Sequence, residues 1–361
     1  MKRFIALFLA TAVMLLSFTF DSYAVEAPLS LSAESAVLID ADHQSVIFEK
    51  NCDRKMGMAS TTKIMTALVA VENCDIKTTI EVSPKAVGIE GSSIYLFASE
   101  RFTLEELLYA LLLRSANDAA AAIAIAVGGS IENFAEMMNE RASEMGLQNT
   151  HFTNPHGLSD KEHYTSAKDL AIITSYLLKN ETLKKIVSTY KITIPFDSEQ
   201  ENPRFLVNHN KLLKSYDGAI GVKTGFTKAT GRCLVSAAER DGVTLIAVTL
   251  NAPDDWNDHK TMLDFGFDSY ESVLIADAGS FSYRLALTGG EKDYVVLTNT
   301  EAIRITLPKQ RKKLELIVQT YHRFEFAPVY PRTVLGRITC CYEGKVLASS
   351  ALVCAEFAPN R

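Results

Sequence analysis

A serine and a lysine three positions apart, Ser60 and Lys63, open an apolar segment that runs to Val71. Apolar residues recur there at helical spacing, and side chains three apart on a helix lie on one face, so the hydroxyl and the amine are expected to meet. Lys63 is the only charged residue of the segment; it is therefore expected to be buried, and a buried ammonium tends to lose its proton. A neutral lysine can take the proton of a serine hydroxyl, which is otherwise a weak nucleophile. The pair predicts a nucleophile and its base, and the alternative, an ordinary serine N-cap, stays open.

Two further motifs carry groups that would complete such a site. Ser115 and Asn117 lie between an apolar helical pattern and an alanine-rich one. A hydroxyl and an amide there would relay protons and orient a substrate; the alternative is a polar linker. Lys223, Thr224 and Gly225 follow an apolar strand pattern. A second positive charge near the first lysine would lower its pKa and attract a carboxylate, and a glycine would let a substrate backbone lie against the strand.

The segments around these motifs have recognisable periodicity. Thr103 and Glu106 form a capping box that starts a helix ending near Leu113. The stretch from Asp118 to Val127 carries no charge after its first residue, which predicts a helix buried on all sides. Strands are predicted at residues 35–40, 45–48, 219–222, 233–239 and 243–250, the last two joined by a tight turn.

The composition changes after about residue 272, where short strand patterns are separated by Gly, Pro and charged turns. This pattern predicts a small all-β domain at residues 273–361. The basic run at residues 309–313 falls between two of these strands and is expected to be a solvated hairpin loop; the alternative is a contact with an anionic polymer.

The three motifs occur in the order Ser-x-x-Lys, Ser-x-Asn, Lys-Thr-Gly, which is the signature of penicillin-binding proteins and β-lactamases. The chain resembles in particular the low-molecular-mass penicillin-binding proteins, the serine-type D-alanyl-D-alanine carboxypeptidases. The segments that carry this resemblance are residues 58–68, 91–96, 154–158, 163–167 and 223–227.

The resemblance covers about residues 29–272 and implies an α/β (α+β) architecture. This is the penicillin-binding-protein/β-lactamase-like transpeptidase fold, with an antiparallel sheet, helices and an α-rich lobe. A small C-terminal β domain is also typical of the family. Residues 29–272 are thus expected to form the catalytic domain.

The resemblance also implies the role of each motif residue. Ser60 would attack the carbonyl between two D-Ala residues, and Lys63 would accept its proton. Ser115, with Lys63 or Lys223, would pass a proton to the departing D-Ala. Backbone N–H groups of Ser60 and Phe226 would form the oxyanion hole. The residues implied to bind substrate are Asn117, Lys223, Thr224, Gly225, Phe226 and Thr227. The implied partners are peptidoglycan stem peptides as substrate and β-lactams as covalent inhibitors.

Two other functions compete with this one. Class A β-lactamases on the same fold use a glutamate in a Glu-x-x-Leu-Asn pattern, and the segment that begins at Glu181 does not fit it. A non-catalytic penicillin-binding or scaffold protein would not need the complete set of motif residues. Release of free D-Ala separates the three.

The N-terminus has the pattern of a secretory signal. Lys2 and Arg3 precede an apolar run that ends at Phe20, and a small-x-Ala site predicts a signal peptide of residues 1–24 cleaved after Ala24. The alternatives are cleavage at Ala27 and an uncleaved N-terminal anchor. Either way the protein is expected outside the cytoplasm. Many family members end in an amphipathic helix on the membrane; residues 355–361 lack that pattern, so attachment would depend on an uncleaved signal.

Composition and motifs argue against several other partners. The net charge of −6 disfavours nucleic acid as a ligand. The chain has no His-Glu-x-x-His, no Cys-x-x-Cys and no phosphate-binding glycine loop, so no metal and no cofactor is predicted. His151, His156 and His163 are interpreted as ordinary loop histidines. The six cysteines are expected to be mostly unpaired and buried.

Overall fold

The structure is a computed structural model that describes residues 29–195 and 203–361; the predicted signal peptide lies outside the described residues. The α-helices of the described part are α1 (Lys63–Asn73), α2 (Leu104–Leu113), α3 (Asn117–Gly128), α4 (Ile131–Glu144), α5 (Ala167–Lys179), α6 (Glu181–Ser188), α7 (Leu212–Ser215) and α8 (Asp255–Ser269). The strands are β1 (Ser35–Asp40), β2 (Val46–Lys50), β3 (Thr79–Glu81), β4 (Arg101–Thr103), β5 (Lys191–Ile194), β6 (Arg204–Val207), β7 (Ala219–Thr227), β8 (Gly231–Arg240), β9 (Val243–Leu250), β10 (Tyr270–Ala276), β11 (Tyr283–Thr288), β12 (Tyr294–Asn299), β13 (Ile303–Pro308), β14 (Glu315–Thr320), β15 (Phe324–Phe326), β16 (Val334–Tyr342) and β17 (Lys345–Cys354).

A five-stranded antiparallel sheet in the order β2-β1-β9-β8-β7 supports the molecule. Every residue of β1 is buried, because its side chains alternate between two apolar layers. Val37 and Ile39 face the helical lobe, and Ala36 and Leu38 face α8. The sheet is therefore covered on both sides, and β7 is left at its edge, which is where the last motif lies.

Local sequence signals in this part of the chain are largely confirmed. The capping box of Thr103 and Glu106 is present at the start of α2. Asp241 and Gly242 join β8 to β9 with positive φ values of 50° and 75°, as a two-residue hairpin turn requires. The prediction for the alanine-rich helix is only partly correct: α3 is buried from Asn117 to Ala124, whereas its last turn is partly exposed.

The C-terminal strands form an all-β arrangement, as predicted. Six of them make a sheet in the order β14-β16-β17-β12-β11-β15, and β10 pairs with β13. The basic run lies between β13 and β14, which belong to different sheets, so the prediction of a hairpin loop there is wrong. This region meets the first sheet where Thr306 Oγ1 donates to the buried Asp40 carboxylate at 2.8 Å. The predicted boundary between the catalytic domain and the C-terminal β domain, at residue 272, falls within β10, and this boundary stays a prediction.

Two further observations concern the described residues as a whole. No helix among them combines the length and apolar composition needed to cross a bilayer. The six cysteines all lie in the described part of the chain; none is in a disulfide, and five are buried, in agreement with the expectation.

His259 of α8 ties the helix to the sheet from a fully buried position. Its Nε2 lies 2.9 Å from Thr249 Oγ1, and its Nδ1 contacts Ser236 Oγ. Burial lowers the pKa of this imidazole to about 3, so the ring is neutral in the native protein at physiological pH.

Acidification is therefore expected to weaken the fold through His259. Its folded-state pKa is depressed from 6.5 to about 3, so the stability it contributes is complete above pH 6.5 and is lost as the pH falls toward the folded-state value. For one histidine this loss is about 2 kcal/mol between pH 7 and pH 5. Urea unfolding of the wild type and of His259→Gln at both pH values measures it. The variant should lose about 2 kcal/mol less than the wild type; equal losses would contradict the assignment.

Candidate active site

Ser60 lies in a 3-10 turn, Ala59–Thr62, that leads directly into α1. Two threonine hydroxyls stabilise the turn: Thr61 Oγ1 donates to Met58 O at 2.7 Å and Thr62 Oγ1 donates to Ala59 O at 2.8 Å. Ala59 has a φ of +47°, a left-handed conformation that a residue with a Cβ adopts only at a cost. Ser60 is thus not an N-cap, and its half-buried side chain is held at the start of the helix.

Lys63 is the first residue of α1, and its side chain is fully buried. Its Nζ lies 3.0 Å from Ser60 Oγ, 2.7 Å from Asn117 Oδ1 and 2.5 Å from the carbonyl oxygen of His156. The structure therefore brings together the hydroxyl and the amine that the sequence pairs, and adds two acceptors to them.

The surroundings of Lys63 favour the neutral amine. Burial lowers its pKa well below 10.5, the positive charge of Lys223 lowers it further, and Asp118 opposes the shift. A neutral amine has two N–H donors and one lone pair. Asn117 Oδ1 and His156 O can accept the two N–H groups, which leaves the lone pair for the Ser60 hydroxyl. This is the arrangement that a base needs in order to take the serine proton.

Ser115 lies at the junction of α2 and α3 with a φ of +61°. Its Oγ is buried and has no hydrogen-bond partner among the described residues. A buried hydroxyl without a partner costs free energy, and such groups occur where a ligand or a transferred proton is to be received. The structure leaves Ser115 available for the role implied by the resemblance.

Asn117, the first residue of α3, connects Lys63 to a neighbouring loop. Its Oδ1 accepts from Lys63, and its Nδ2 donates to Glu90 O at 2.5 Å. Its backbone N–H donates to Ser92 O at 2.7 Å. In this structure Asn117 positions the lysine, in addition to any contact with substrate.

Asp118 fixes the same loop through a buried carboxylate. It accepts hydrogen bonds from Ser93 Oγ at 2.6 Å and from the backbone N–H groups of Ile94 and Leu96. The loop is thereby attached to the start of α3, beside the asparagine that contacts Lys63.

Lys223 and Gly225 lie in the body of the edge strand β7. Lys223 is buried, its Nζ donates to Thr224 O at 2.7 Å, and burial lowers its pKa to about 7. A Cβ on Gly225 would lie 3.1 Å from both Ser60 N and Met58 O. The strand therefore packs closely against the turn that carries the nucleophile, and the lack of a side chain permits this approach.

The remaining motif residues continue along β7. Thr224 is half-buried, and Phe226 is 64% exposed at the cleft. Thr227 is bound to its own turn: its Oγ1 lies 3.0 Å from Thr230 Oγ1 and accepts from Thr230 N at 3.1 Å. Ser159 Oγ reaches it from the facing loop at 3.3 Å. In this structure Thr227 thus closes the end of the strand.

A loop at residues 154–158 supplies a backbone contact to Lys63 that the side-chain motifs do not predict. His156 contributes its backbone oxygen to Lys63, and Thr66 Oγ1 donates to Pro155 O at 2.6 Å. Gly157 has a φ of +86°, and a Cβ there would lie 1.9 Å from Ala59 O. Every residue carries a backbone carbonyl, so residue type cannot predict which one contacts Lys63. The Pro155-x-Gly157 pattern indicates a tight turn there and nothing more.

Taken together, these groups can perform acyl transfer. A hydroxyl faces an amine of lowered pKa, a second hydroxyl is unpartnered, and a second buried lysine lies on the edge strand of the sheet. An extended peptide can lie along such an edge, with its backbone held by that of the strand.

Comparison with known proteins identifies a family. The model of the family Peptidase_S11, D-alanyl-D-alanine carboxypeptidase, matches residues 21–254. The chain is 34% identical to D-alanyl-D-alanine carboxypeptidase DacF of Bacillus subtilis over 99% of this chain and 94% of that protein. It is 31% identical to DacC of Escherichia coli, over 92% of this chain and 85% of that one.

Solved structures agree with this result. Penicillin-binding protein 5 from Haemophilus influenzae superposes with a TM-score of 0.76 at 27% identity, over 92% of this chain and 99% of that chain. A protein described as a peptidoglycan synthesis regulatory factor (PBP3) from Streptococcus pneumoniae gives a TM-score of 0.80 at 23% identity, over 91% of this chain and 100% of that chain, which shows the shared fold.

Proposed function

This chain belongs to the Peptidase_S11 family of D-alanyl-D-alanine carboxypeptidases, and from that membership we propose that Ser60, Lys63 and Ser115 carry out its reaction. The enzyme is a serine-type hydrolase that removes the terminal D-Ala from peptides ending in D-Ala-D-Ala. The observation that carries the residue assignment is the 3.0 Å contact between Ser60 Oγ and the buried Lys63 Nζ. The substrate class we propose is the peptidoglycan stem peptide.

Acylation begins at Ser60. Its Oγ attacks the carbonyl carbon between the two D-Ala residues while its proton passes to the lone pair of Lys63. The negative charge on the carbonyl oxygen is stabilised by the backbone N–H groups of Ser60 and Phe226, two segments that meet where Gly225 packs on the turn. Asn117 Oδ1 and His156 O then accept hydrogen bonds from the ammonium that has formed on Lys63.

The departing D-Ala takes a proton as the C–N bond breaks. Ser115 passes its hydroxyl proton to the leaving nitrogen and regains one from Lys63, which returns to the neutral state. Water then attacks the acyl-enzyme ester, with Lys63 as base, and releases the shortened peptide and free Ser60. A β-lactam ring opens on Ser60 by the same first step and leaves the serine acylated.

The rest of the chain is assigned by the same proposal. Lys223, Thr224 and Thr227 bind the terminal carboxylate, and Asn117 and Gly225 orient the peptide backbone. Residues 29–272 form the catalytic domain and residues 273–361 a β domain, which is supported by an apolar cluster of C-terminal strands that includes no residue before Val273. The substrate lies outside the cytoplasmic membrane, so we place the enzyme there, exported by residues 1–24.

Release of D-Ala tests the proposed function. The purified protein is incubated at pH 7.5 with a peptide ending in D-Ala-D-Ala, and free D-Ala is measured alongside labelling by a fluorescent penicillin. We expect D-Ala release and a labelled band, and neither with Ser60→Ala. A β-lactamase would hydrolyse the penicillin without releasing D-Ala, and a scaffold protein would be labelled without turnover. Equal D-Ala release by Ser60→Ala would refute the assignment of the nucleophile.

A further inference from the structure

Arg114 and His209 contact each other beside the site, and neither has a part in the acyl-transfer steps above. Arg114 immediately precedes Ser115, and its Nη1 lies 3.1 Å from His209 Nε2. The backbone N–H of His209 donates to Leu113 O at 3.2 Å, which attaches the loop of His209 to the end of α2. The two side chains therefore converge from elements that are far apart in the chain.

The loop that presents His209 is held rigidly on both sides. Asn208 Nδ2 donates to Val187 O at 3.1 Å, and Asn208 Oδ1 accepts from Asn210 N at 2.9 Å. Both asparagines are buried, whereas His209 between them is exposed. The loop thus supports one imidazole that faces outward toward Arg114.

The basic side chains of Arg114 and Lys223 lie near His209 without an acidic partner in the described part of the chain. Partial burial of the imidazole and the positive charges of Lys223 and Arg114 lower the pKa of His209 to about 4, so the ring is neutral and can accept an N–H from the guanidinium. In the described part of the chain neither Arg114 nor Lys223 forms an ion pair, and the neighbouring Ser115 hydroxyl is buried without a partner. Arg114 and Lys223 both act electrostatically on His209, and Arg114 is adjacent in the chain to the unpartnered Ser115 hydroxyl, so these groups form a site for an anionic group.

We propose that Arg114, oriented by His209, is a specificity residue for the free carboxylate at the C-terminus of the substrate, acting together with Lys223 and the Ser115 hydroxyl. This inference rests on the proposed function and adds two residues to its binding site. A planar guanidinium can donate two parallel N–H groups to a carboxylate. The contact with His209 occupies an N–H on one side of the fork, which limits its rotation and leaves the other donors for the ligand.

The consequence is discrimination against peptides that lack a free terminal carboxylate. A substrate whose last residue is amidated, or continues into a further residue, would leave Arg114 and Lys223 desolvated without a counter-charge. A site built on charged donors rejects a substrate that lacks the matching group more strongly than an apolar pocket would. Arg114 would therefore contribute to making the enzyme a carboxypeptidase and not an endopeptidase.

Two peptides that differ at one group test this proposal. kcat and KM are measured for a peptide ending in D-Ala-D-Ala, from the release of D-Ala, and for its C-terminal amide, from the release of D-alaninamide. For Arg114→Gln we expect the ratio of kcat/KM values, carboxylate over amide, to fall at least about tenfold. Arg114→Lys keeps the charge and should retain part of the ratio. His209→Gln should lower the ratio less and add little in the Arg114→Gln background, because it acts through Arg114.

Controls separate the possible failures. Arg323→Gln removes an exposed arginine from the bend before β15 and should leave both rates unchanged. Thermal unfolding, together with the amide reaction, shows whether each variant is folded. Equal losses for both peptides in Arg114→Gln, or an unchanged ratio, would overturn this inference and leave the proposed function standing. A wild type that hydrolyses neither peptide would instead overturn the proposed function.

Discussion

Replacing Lys63 by methionine is expected to reduce acylation by penicillin at pH 7.5 by at least about a thousandfold. Methionine is similar in length and apolar, so it can occupy the buried channel, but it has no lone pair that can take the Ser60 proton. The loss of N–H donors to Asn117 Oδ1 and His156 O should cost about 1–3 kcal/mol of stability. The rate of covalent labelling by a fluorescent penicillin is the measurement, and urea unfolding confirms that the variant is folded.

Two companion variants distinguish the base from the charge. Ser60→Ala defines the labelling rate in the absence of the nucleophile. Lys63→Arg restores a positive charge, but a guanidinium stays protonated in proteins and cannot act as a base. If the lysine acts as a base, this variant should therefore be labelled as slowly as Lys63→Met. Normal labelling of Lys63→Met would remove Lys63 from the mechanism. Recovery by Lys63→Arg would show that the site needs only a cation there.

Replacing Gly157 by alanine is expected to disrupt the site from a position that bears no reacting group. The new Cβ would lie 1.9 Å from Ala59 O and 2.9 Å from Thr62 Oγ1, so either the loop or the nucleophile turn must move. His156, whose carbonyl oxygen holds Lys63, is the adjacent residue and would shift with the loop. We expect a loss of about 3 kcal/mol of stability and a fall of about a hundredfold in D-Ala release, because small displacements of reacting groups are costly.

Gly146 offers a matched control for this substitution. It also has a positive φ, of +73°, but a Cβ there would meet nothing within 4 Å. Gly146→Ala therefore isolates the cost of the backbone conformation, about 1 kcal/mol, and should keep full activity. Thermal unfolding and the D-Ala assay on both variants measure the difference. Similar behaviour of the two would show that the packing of Gly157 on Ala59 does not hold the site together.

Contacts between residues close in the chain could be predicted from the sequence. Three-residue spacing on a helical turn places Ser60 near Lys63, and the same local geometry produces the capping box at Thr103 and Glu106. These contacts depend on the helical repeat alone, which a few neighbouring residues determine. The order of the three motifs is also specific enough to identify the family from the sequence alone.

The strands of the C-terminal region were harder to predict. β11 and β17 are half-exposed and mix polar with apolar residues, so their alternation is weak in the sequence. Their pairing depends on partners far along the chain, as when Leu297 of β12 lies opposite Cys354 of β17. The same reason explains the basic run, whose flanking strands pair with other strands instead of with each other.

The chemistry of Lys63 illustrates where the sequence stops being informative. Its residue type and its neighbour Ser60 follow from the local pattern, and so does the expectation of burial. Its pKa depends on Lys223 and Asp118, and its hydrogen bonds on Asn117 Oδ1 and the His156 carbonyl. The contact of Arg114 with His209 arises in the same way. Charges and carbonyls act through space over a few ångströms, and packing between distant segments sets those distances.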